Sequence, residues 1–388
     1  MHILIIPSWY KTIENPVWGS FFEEQARALM DRSHKVGILN PFFIPFSNRK
    51  RLIFRQWNDA GLNSLQFEVR GRIPGFRKIN YNFFAQNCYE EFKNYCRKYG
   101  KPDVIHAHSV FMGGIAGCKI SRKENIPFVL TEHLTNFITG GIKIQSDMDV
   151  ARDVLRCAKV RLVVSNDFAN RLSNALEMKP DEFLVLGNMV NPIFFDGCKP
   201  NRISGKPFRF FANSFFSPRK GIENLMKAFD KFSANFPDSE FHIGGSAVRD
   251  LEVPYEKELM ALKSELTSGP RIFFKGLLSR EAVVNEMQNC HVFLSGSSYE
   301  TFGVVLAEAL ACGRPVITTP SGGPNDIVNP EDGIICADFS AATIAEAMQE
   351  MYSNYESFDS KVLSENCYKR FSSEVIIGRL EEIYKEIS

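Results

Sequence analysis

Short apolar runs of strand length alternate with helix-length amphipathic patterns along the chain, and the alternation runs through twice. This is the pattern of parallel sheets whose strands are joined by crossover helices. In the first pass strands are expected at residues 3–6, 36–39, 104–106, 128–131, 162–164 and 184–186, with helices at 21–30, 83–99, 112–122 and 147–157. A stretch rich in Pro and Gly, 192–207, interrupts the pattern. Strands then recur at 208–211, 241–244, 272–274, 292–294, 315–318 and 334–336, and helical patterns run from 341 to 388. A chain of 388 residues exceeds one ordinary core. The expected class is α/β: two doubly wound, Rossmann-like domains facing across a cleft, 1–195 and 207–370, with a linker at 196–206 and a terminal segment 371–388. In such sheets ligands gather beyond the carboxyl ends of the strands.

Composition narrows the setting. The nine cysteines fall at irregular spacing, with no Cys-x-x-Cys pair, and read as small core residues in a reducing compartment. The opening MHILIIP lacks a basic region and is too short for a signal peptide, and no apolar run is long enough to span a bilayer. A cytoplasmic protein is expected. Charge is divided: residues 1–206 carry 29 Lys and Arg against 19 Asp and Glu, and residues 207–388 carry 17 against 26. The basic first half points to an anionic partner on that side, whereas the acidic second half argues against nucleic acid.

The most specific chemistry lies at 298–310, SYETFGVVLAEAL, where Glu300 and Glu308 bracket the start of an Ala- and Leu-rich helix. If that helix begins near Gly303, the amides of Thr301, Phe302, Gly303 and Val304 are donors at the positive end of its dipole, a ready anion site. Taken alone, the pair reads more simply as a helix cap and a solvated glutamate. The continuation CGRPVITTPSGGP at 312–324, a Gly-ended helix, a short strand and a second glycine turn, reverses that preference. Here the chain resembles the family 4 (group 1) retaining glycosyltransferases of the GT-B fold, whose signature is two glutamates separated by seven residues.

The resemblance implies a hexosyltransferase-type enzyme that moves a sugar from a nucleotide-diphosphate donor to a saccharide or lipid-linked acceptor, with no metal or other cofactor. Bacterial surface polysaccharide or lipopolysaccharide synthesis is the family's commonest setting. By the family's pattern Glu300 holds hydroxyls of the transferred sugar and Glu308 binds the ribose. Lys220, after the strand at 208–211, stabilises the departing diphosphate with the amides that follow Glu300. The family usually has an arginine five or six residues before this lysine; Phe215 and Ser214 stand there instead, and Arg219 is the candidate substitute. Gly19 opens a helix where a bare backbone amide can approach the distal phosphate. His108 and His133, each just past a strand end, match segments that line the family's cleft and contact the sugar or acceptor, His108 as the catalytic candidate. Gly276 and Leu277 match the loop whose backbone meets the base. The family's last helix crosses back to the first domain, as expected for 371–388.

Other signals read more plainly. Asp147 and Asp149 mimic an Asp-x-Asp metal motif, but at a predicted helix start they read as an acidic capping cluster. No set of ligands completes a metal site around the histidines. Between 49 and 84, Arg49, Arg51, Arg55, Arg70, Arg72, Arg77 and Lys78 interleave with Phe54, Trp57, Phe67, Phe76, Tyr81, Phe83 and Phe84. This region suits an anionic membrane or a lipid diphosphate, and equally a solvated loop before an amphipathic helix; the sequence leaves both open. A nucleotide-sugar epimerase of the same fold and a non-catalytic sugar-binding protein remain alternatives. A dinucleotide oxidoreductase is disfavoured because strand one leads into PSWY without a Gly-x-Gly-x-x-Gly turn.

Overall fold

Each pass of the alternation builds its own sheet in the computed structural model, which describes residues 1–12, 19–45, 56–58, 61–73, 75–196, 198, 207–247 and 252–388. The chain parts into two units, Met1–Gly187 with Ile376–Ser388, and Asn188–Val375. The division falls ahead of the expected 196–206 linker, nearly all of which lies outside the described residues, as do Arg49, Arg51, Phe54 and Arg55. Residues after Gly187 side with the second unit for a local reason. The Val190 amide donates to the Phe371 carbonyl at 2.8 Å, and the Cys312 thiol reaches the Phe194 carbonyl.

In the first unit the order is β1 (His2–Pro7), α1 (Ser20–Asp31), β2 (Lys35–Pro45), β3 (Gln56–Asn58), β4 (Asn63–Arg72), α2 (Arg77–Tyr99), β5 (Val104–His108), α3 (Ile115–Glu124), β6 (Phe128–Glu132), α4 (Gln145–Cys157), β7 (Val160–Val163), α5 (Asn166–Leu176) and β8 (Leu184–Val185). The sheet runs β3-β4-β2-β1-β5-β6-β7-β8, seven strands parallel and β3 antiparallel at the edge. β1, β5 and β6 are buried throughout, as parallel strands covered on both faces must be. β4 went unread in the sequence: its buried Leu65, Phe67 and Val69 alternate with Gln66, Glu68 and Arg70, a period of two hidden by the basic composition. α2 starts at Arg77 rather than 83, and α3 at Ile115 rather than 112, because an irregular turn over Val110–Gly114 precedes it.

The second unit contains α6 (Pro192–Asp196), β9 (Phe208–Asn213), α7 (Ile222–Asn235), β10 (Ser239–Gly244), α8 (Val253–Glu265), β11 (Ile272–Gly276), α9 (Arg280–Asn289), β12 (Val292–Ser295), α10 (Val304–Ala311), β13 (Val316–Thr318), β14 (Gly333–Ile335), α11 (Ala341–Asn354) and α12 (Ser360–Phe371). Its six parallel strands run β11-β10-β9-β12-β13-β14. The terminal helix α13 (Ser373–Ile387) enters the first unit from Ile376 onward. There Glu381 accepts from Arg32 and His34, both at 2.8 Å, and the Tyr384 hydroxyl lies 2.6 Å from His106 Nδ1.

Among the parallel strands of each sheet the order reverses once, between β1 and β5 in the first unit and between β9 and β12 in the second. Diverging loops leave a crevice at such a reversal, which makes it the default ligand site of an open parallel sheet. Ser8 and His108 flank the first reversal; Lys220 and Glu300 flank the second.

Candidate active site

In the second unit the loop after β9 is pressed against the loop after β12. The Ser298 amide donates to the Arg219 carbonyl at 2.8 Å. A Cβ on Gly221 would meet the Gly296 carbonyl oxygen at 2.0 Å, and Gly221 has φ 64°, so only glycine fits. This close approach delivers Lys220 to Glu300: its ammonium lies 2.5 Å from Glu300 Oε1, which also accepts from Ser297 Oγ at 2.7 Å. Arg219 donates to the Tyr299 carbonyl at 2.7 Å and comes within 3.9 Å of Glu300 Oε2.

The backbone of Glu300 is pinned as firmly. Its amide donates to the Ser321 carbonyl and its carbonyl accepts from the Gly323 amide, at 2.8 and 2.9 Å. Burial alone pushes the Glu300 carboxyl up. The Lys220 and Arg219 cations, with the hydrogen bonds from Lys220 and Ser297, outweigh it and hold the group below the usual carboxylate range. The result is an anion that accepts hydroxyl hydrogen bonds, beside two cations.

Gly303 caps α10 at φ 97°, as the sequence places it. Leu306 donates back to the Gly303 carbonyl, but none of the amides of Phe302, Gly303, Val304 and Val305 has a backbone acceptor among the described residues. The Phe302 side chain is buried against Phe371, so its amide is what it offers. Glu308 lies in the second turn of α10, only 8% exposed, with Arg280 Nη1 at 3.3 Å from Oε1. Arg280 and Ser297 were not expected from the sequence: Arg280 reaches Glu308 from the start of α9, whereas Ser297 lies three residues before Glu300 in the same loop. At the edge of the sheet Gly276 takes φ 68° and Leu277 is exposed. Phe215, at the family's arginine position, is exposed and supplies no charge.

In the first unit, parallel register aligns Pro7 with His108 and His108 with Thr131, which gathers the ends of β1, β5 and β6. His108 Nδ1 faces His133 Nε2 at 3.1 Å, and the His106 and His108 rings stack at 4.3 Å. His108 is 1% exposed and packs against the rings of His133 and Phe22, while His133 is half-buried. Burial pushes His106 and His133 down to about 3 and His108 well below its ordinary value, with nearby imidazoles adding to the effect on His106 and His108. All three rings are therefore neutral at pH 7.

Beneath them, the buried Glu132 carboxylate accepts from the amides of Val110 and His133, both at 2.7 Å, and of Leu134 at 2.8 Å. Gly19 caps α1 at φ 72°, where a Cβ would meet the Trp9 carbonyl oxygen at 2.9 Å. Asp147 lies in the first turn of α4, as expected, but its side chain makes no capping hydrogen bond: it is buried and accepts from Arg77 and from the Tyr81 hydroxyl, tying α4 to α2. Asp149 pairs with Arg152. Among the described residues no three His, Cys, Asp or Glu side chains converge as metal ligands.

Two family models meet head to tail on this chain: Glycosyltransferase Family 4 matches residues 19–193, and Glycosyl transferases group 1 matches 198–370. The chain belongs to the group 1, family 4 glycosyltransferases, with the GT-B fold, and is an enzyme of the transferase class. An uncharacterized glycosyltransferase of Methanocaldococcus jannaschii is 26% identical over 321 residues, covering 81% of this chain and 84% of the relative. The sucrose-phosphate synthase of Thermosynechococcus elongatus superposes with a TM-score of 0.77 at 20% identity, covering 100% of this chain and 98% of that one. Anabaena HepE in complex with UDP superposes at 0.75 with 17% identity, each chain covered in full.

Proposed function

We propose that this enzyme is a retaining glycosyltransferase that moves a hexose-type sugar from a nucleotide-diphosphate donor to a saccharide or lipid-linked acceptor. It would act in the cytoplasm, in bacterial surface polysaccharide or lipopolysaccharide assembly. The observation that carries the reading is the Lys220–Glu300 contact at 2.5 Å beside the amino end of α10. A departing diphosphate needs fixed positive charge. Lys220 has further donors after serving Glu300, Arg219 supplies the second cation where Phe215 cannot, and the α10 amides add a dipole end. Neutralisation by these groups makes a metal unnecessary in this proposal. Glu300, held ionised, accepts hydroxyls of the transferred sugar, and Glu308 with Arg280 takes the ribose. In the first unit His133 meets the sugar or acceptor, and His108 acts through it as a positioning residue. Retention follows by attack on the face from which the diphosphate leaves, the course assigned to this family.

The nucleotide-sugar part is supported by HepE, solved with UDP and with UDP-glucose. The acceptor part is supported by the name of a Corynebacterium glutamicum relative, a GDP-mannose-dependent mannosyltransferase of a phosphatidylinositol monomannoside. The deciding experiment is a thermal-shift panel of nucleotide sugars on the wild type and on Glu308→Ala. A stabilising donor whose effect disappears in the folded variant supports the assignment; an equal shift in both overturns it. Incubation with that donor alone separates the rivals, since an epimerase releases the epimer without an acceptor. A sugar-binding protein would bind and turn nothing over.

A further inference from the structure

Gly114, Cys118 and Arg122 stand four residues apart, at the head of α3 and along it, and all three meet α4. A Cβ on Gly114 would lie 2.9 Å from Val154 Cγ1, and the Arg122 guanidinium donates to both oxygens of Asp153, at 2.8 and 3.0 Å. Between these contacts Cys118 faces Cys157, the last residue of α4 and one turn beyond Val154. Cys157 Sγ lies 3.7 Å from the Cys118 carbonyl oxygen, and the two side chains are within hydrogen-bonding reach of each other. Both are free thiols, Cys118 buried and Cys157 half-buried. Alanine or serine would fill a seam between helices as well; what two facing thiols add is reactivity.

The two thiols differ. The hydrogen bond from Cys118, with the Arg122 cation, holds the Cys157 thiol below its ordinary range against the effect of burial. The same hydrogen bond and burial push the Cys118 thiol far up. Cys157 is thus the nucleophile of the pair and Cys118 the thiol poised to resolve it.

We infer that Cys118 and Cys157 form a reversible disulfide that closes under hydrogen peroxide and ties α3 to α4. Ionised Cys157 attacks one peroxide oxygen, the O–O bond breaks, and the departing hydroxide takes up the proton that Cys157 released, as water. The product is a sulfenic acid. Cys118 then attacks the Cys157 sulfur; the S–O bond breaks as the S–S bond forms, and hydroxide leaves with the Cys118 proton as a second water. Both sulfurs are oxidised and one peroxide is reduced to two waters. In a reducing compartment such a bond is transient, reopened by thiol exchange. An S–S bond of about 2 Å is shorter than any thiol contact, so closure draws the helices together one turn from the Gly114–Val154 contact. The irregular turn Val110–Gly114 rests on that contact, and its Val110 amide is held by Glu132, which also holds the His133 amide. The disulfide therefore braces this turn.

The test is a non-reducing peptide map of the folded full chain after stoichiometric hydrogen peroxide and alkylation of the remaining thiols. A linked pair containing Cys118 and Cys157 is expected, and dithiothreitol should release it. In Cys118→Ala, dimedone should trap the sulfenic acid on Cys157 at least about tenfold faster than on the half-buried Cys96, whose thiol burial pushes up to about 11. In Cys157→Ala, Cys118 should stay unlabelled. Amide hydrogen exchange over residues 110–118 should slow at least about tenfold in the oxidised wild type and recover with reductant. Peroxide that leaves both thiols free, or joins either to another cysteine, overturns the inference. So does a linked pair that forms only once the protein is unfolded. Unchanged exchange in the linked protein overturns the bracing of the turn. The map and the exchange use the wild type alone, so they decide the matter even where a variant fails to fold.

Discussion

Gly221 and Gly296 touch backbone to backbone, with the site of a Gly221 Cβ only 2.0 Å from the Gly296 carbonyl oxygen. That contact, between loops on either side of the strand-order reversal, sets the reach of Lys220 to Glu300. Gly221→Ala should therefore displace the lysine as well as strain the backbone. Expected is a loss of at least about 1 kcal/mol in denaturant unfolding, with donor affinity falling too. Calorimetric titration with the donor checks the second part, since a merely strained turn would leave affinity unchanged.

Lys220→Ala removes the cation nearest the leaving group. Turnover should drop by about a hundredfold or more with a smaller change in KM, as expected for charge stabilised mainly in the transition state. Steady-state kinetics on the purified variant measures both. In a double-mutant cycle with Glu300→Gln, a coupling of about 1–3 kcal/mol is expected in donor binding, because each group sets the other's charge and position.

Arg280→Ala should resemble a partial loss of Glu308. The two side chains lie 3.3 Å apart, and the guanidinium also covers the Phe194 ring at 5.7 Å. Donor binding should weaken by about tenfold, the size of one charge-assisted contact. Equilibrium titration with nucleotide alone, against intact nucleotide sugar, tells whether the loss lies on the ribose side.

The neutral histidines give the first unit an acid limit. His106 and His133 bind protons near 6.5 when unfolded but only at about 3 when folded. A depressed folded value means stability that is complete above the unfolded value and lost as pH falls toward the folded one. Each fully titrating histidine should then cost about 1.4 kcal/mol per pH unit below about 6. His106→Phe should flatten that slope in pH-dependent thermal melts, even if it lowers stability at neutral pH.

Glu381 makes a separate acid-sensitive tie. The hydrogen bonds from Arg32, and then from His34, hold its carboxyl down to about 2 against the cost of burial. This contribution is present above about 4.5 and declines as pH falls toward about 2. Glu381→Gln should lower the melting temperature at neutral pH and narrow its gap to the wild type near pH 3. Hydrogen exchange in α13 would show where protection is lost.

How far the sequence could be read follows from which interactions are local. Period and punctuation placed nearly every buried parallel strand, the Gly303 start of α10 and the glutamates that flank it, because a helix cap and a buried strand are written in consecutive residues. Gly19 and Gly276 were legible only through the family resemblance, and the positive φ of Gly221 emerged only with the structure. Tertiary packing decided the rest. Phe22 and His133 pack against the buried His108 from other elements, and Asp147 became a tie to α2 only when Arg77 and Tyr81 arrived from another helix. The Arg280 contact with Glu308 likewise arises between side chains carried on different helices. Backbone preference acts within a few residues and can be read along the chain, whereas burial and charge pairing act through space and take their sign from neighbours that folding alone supplies.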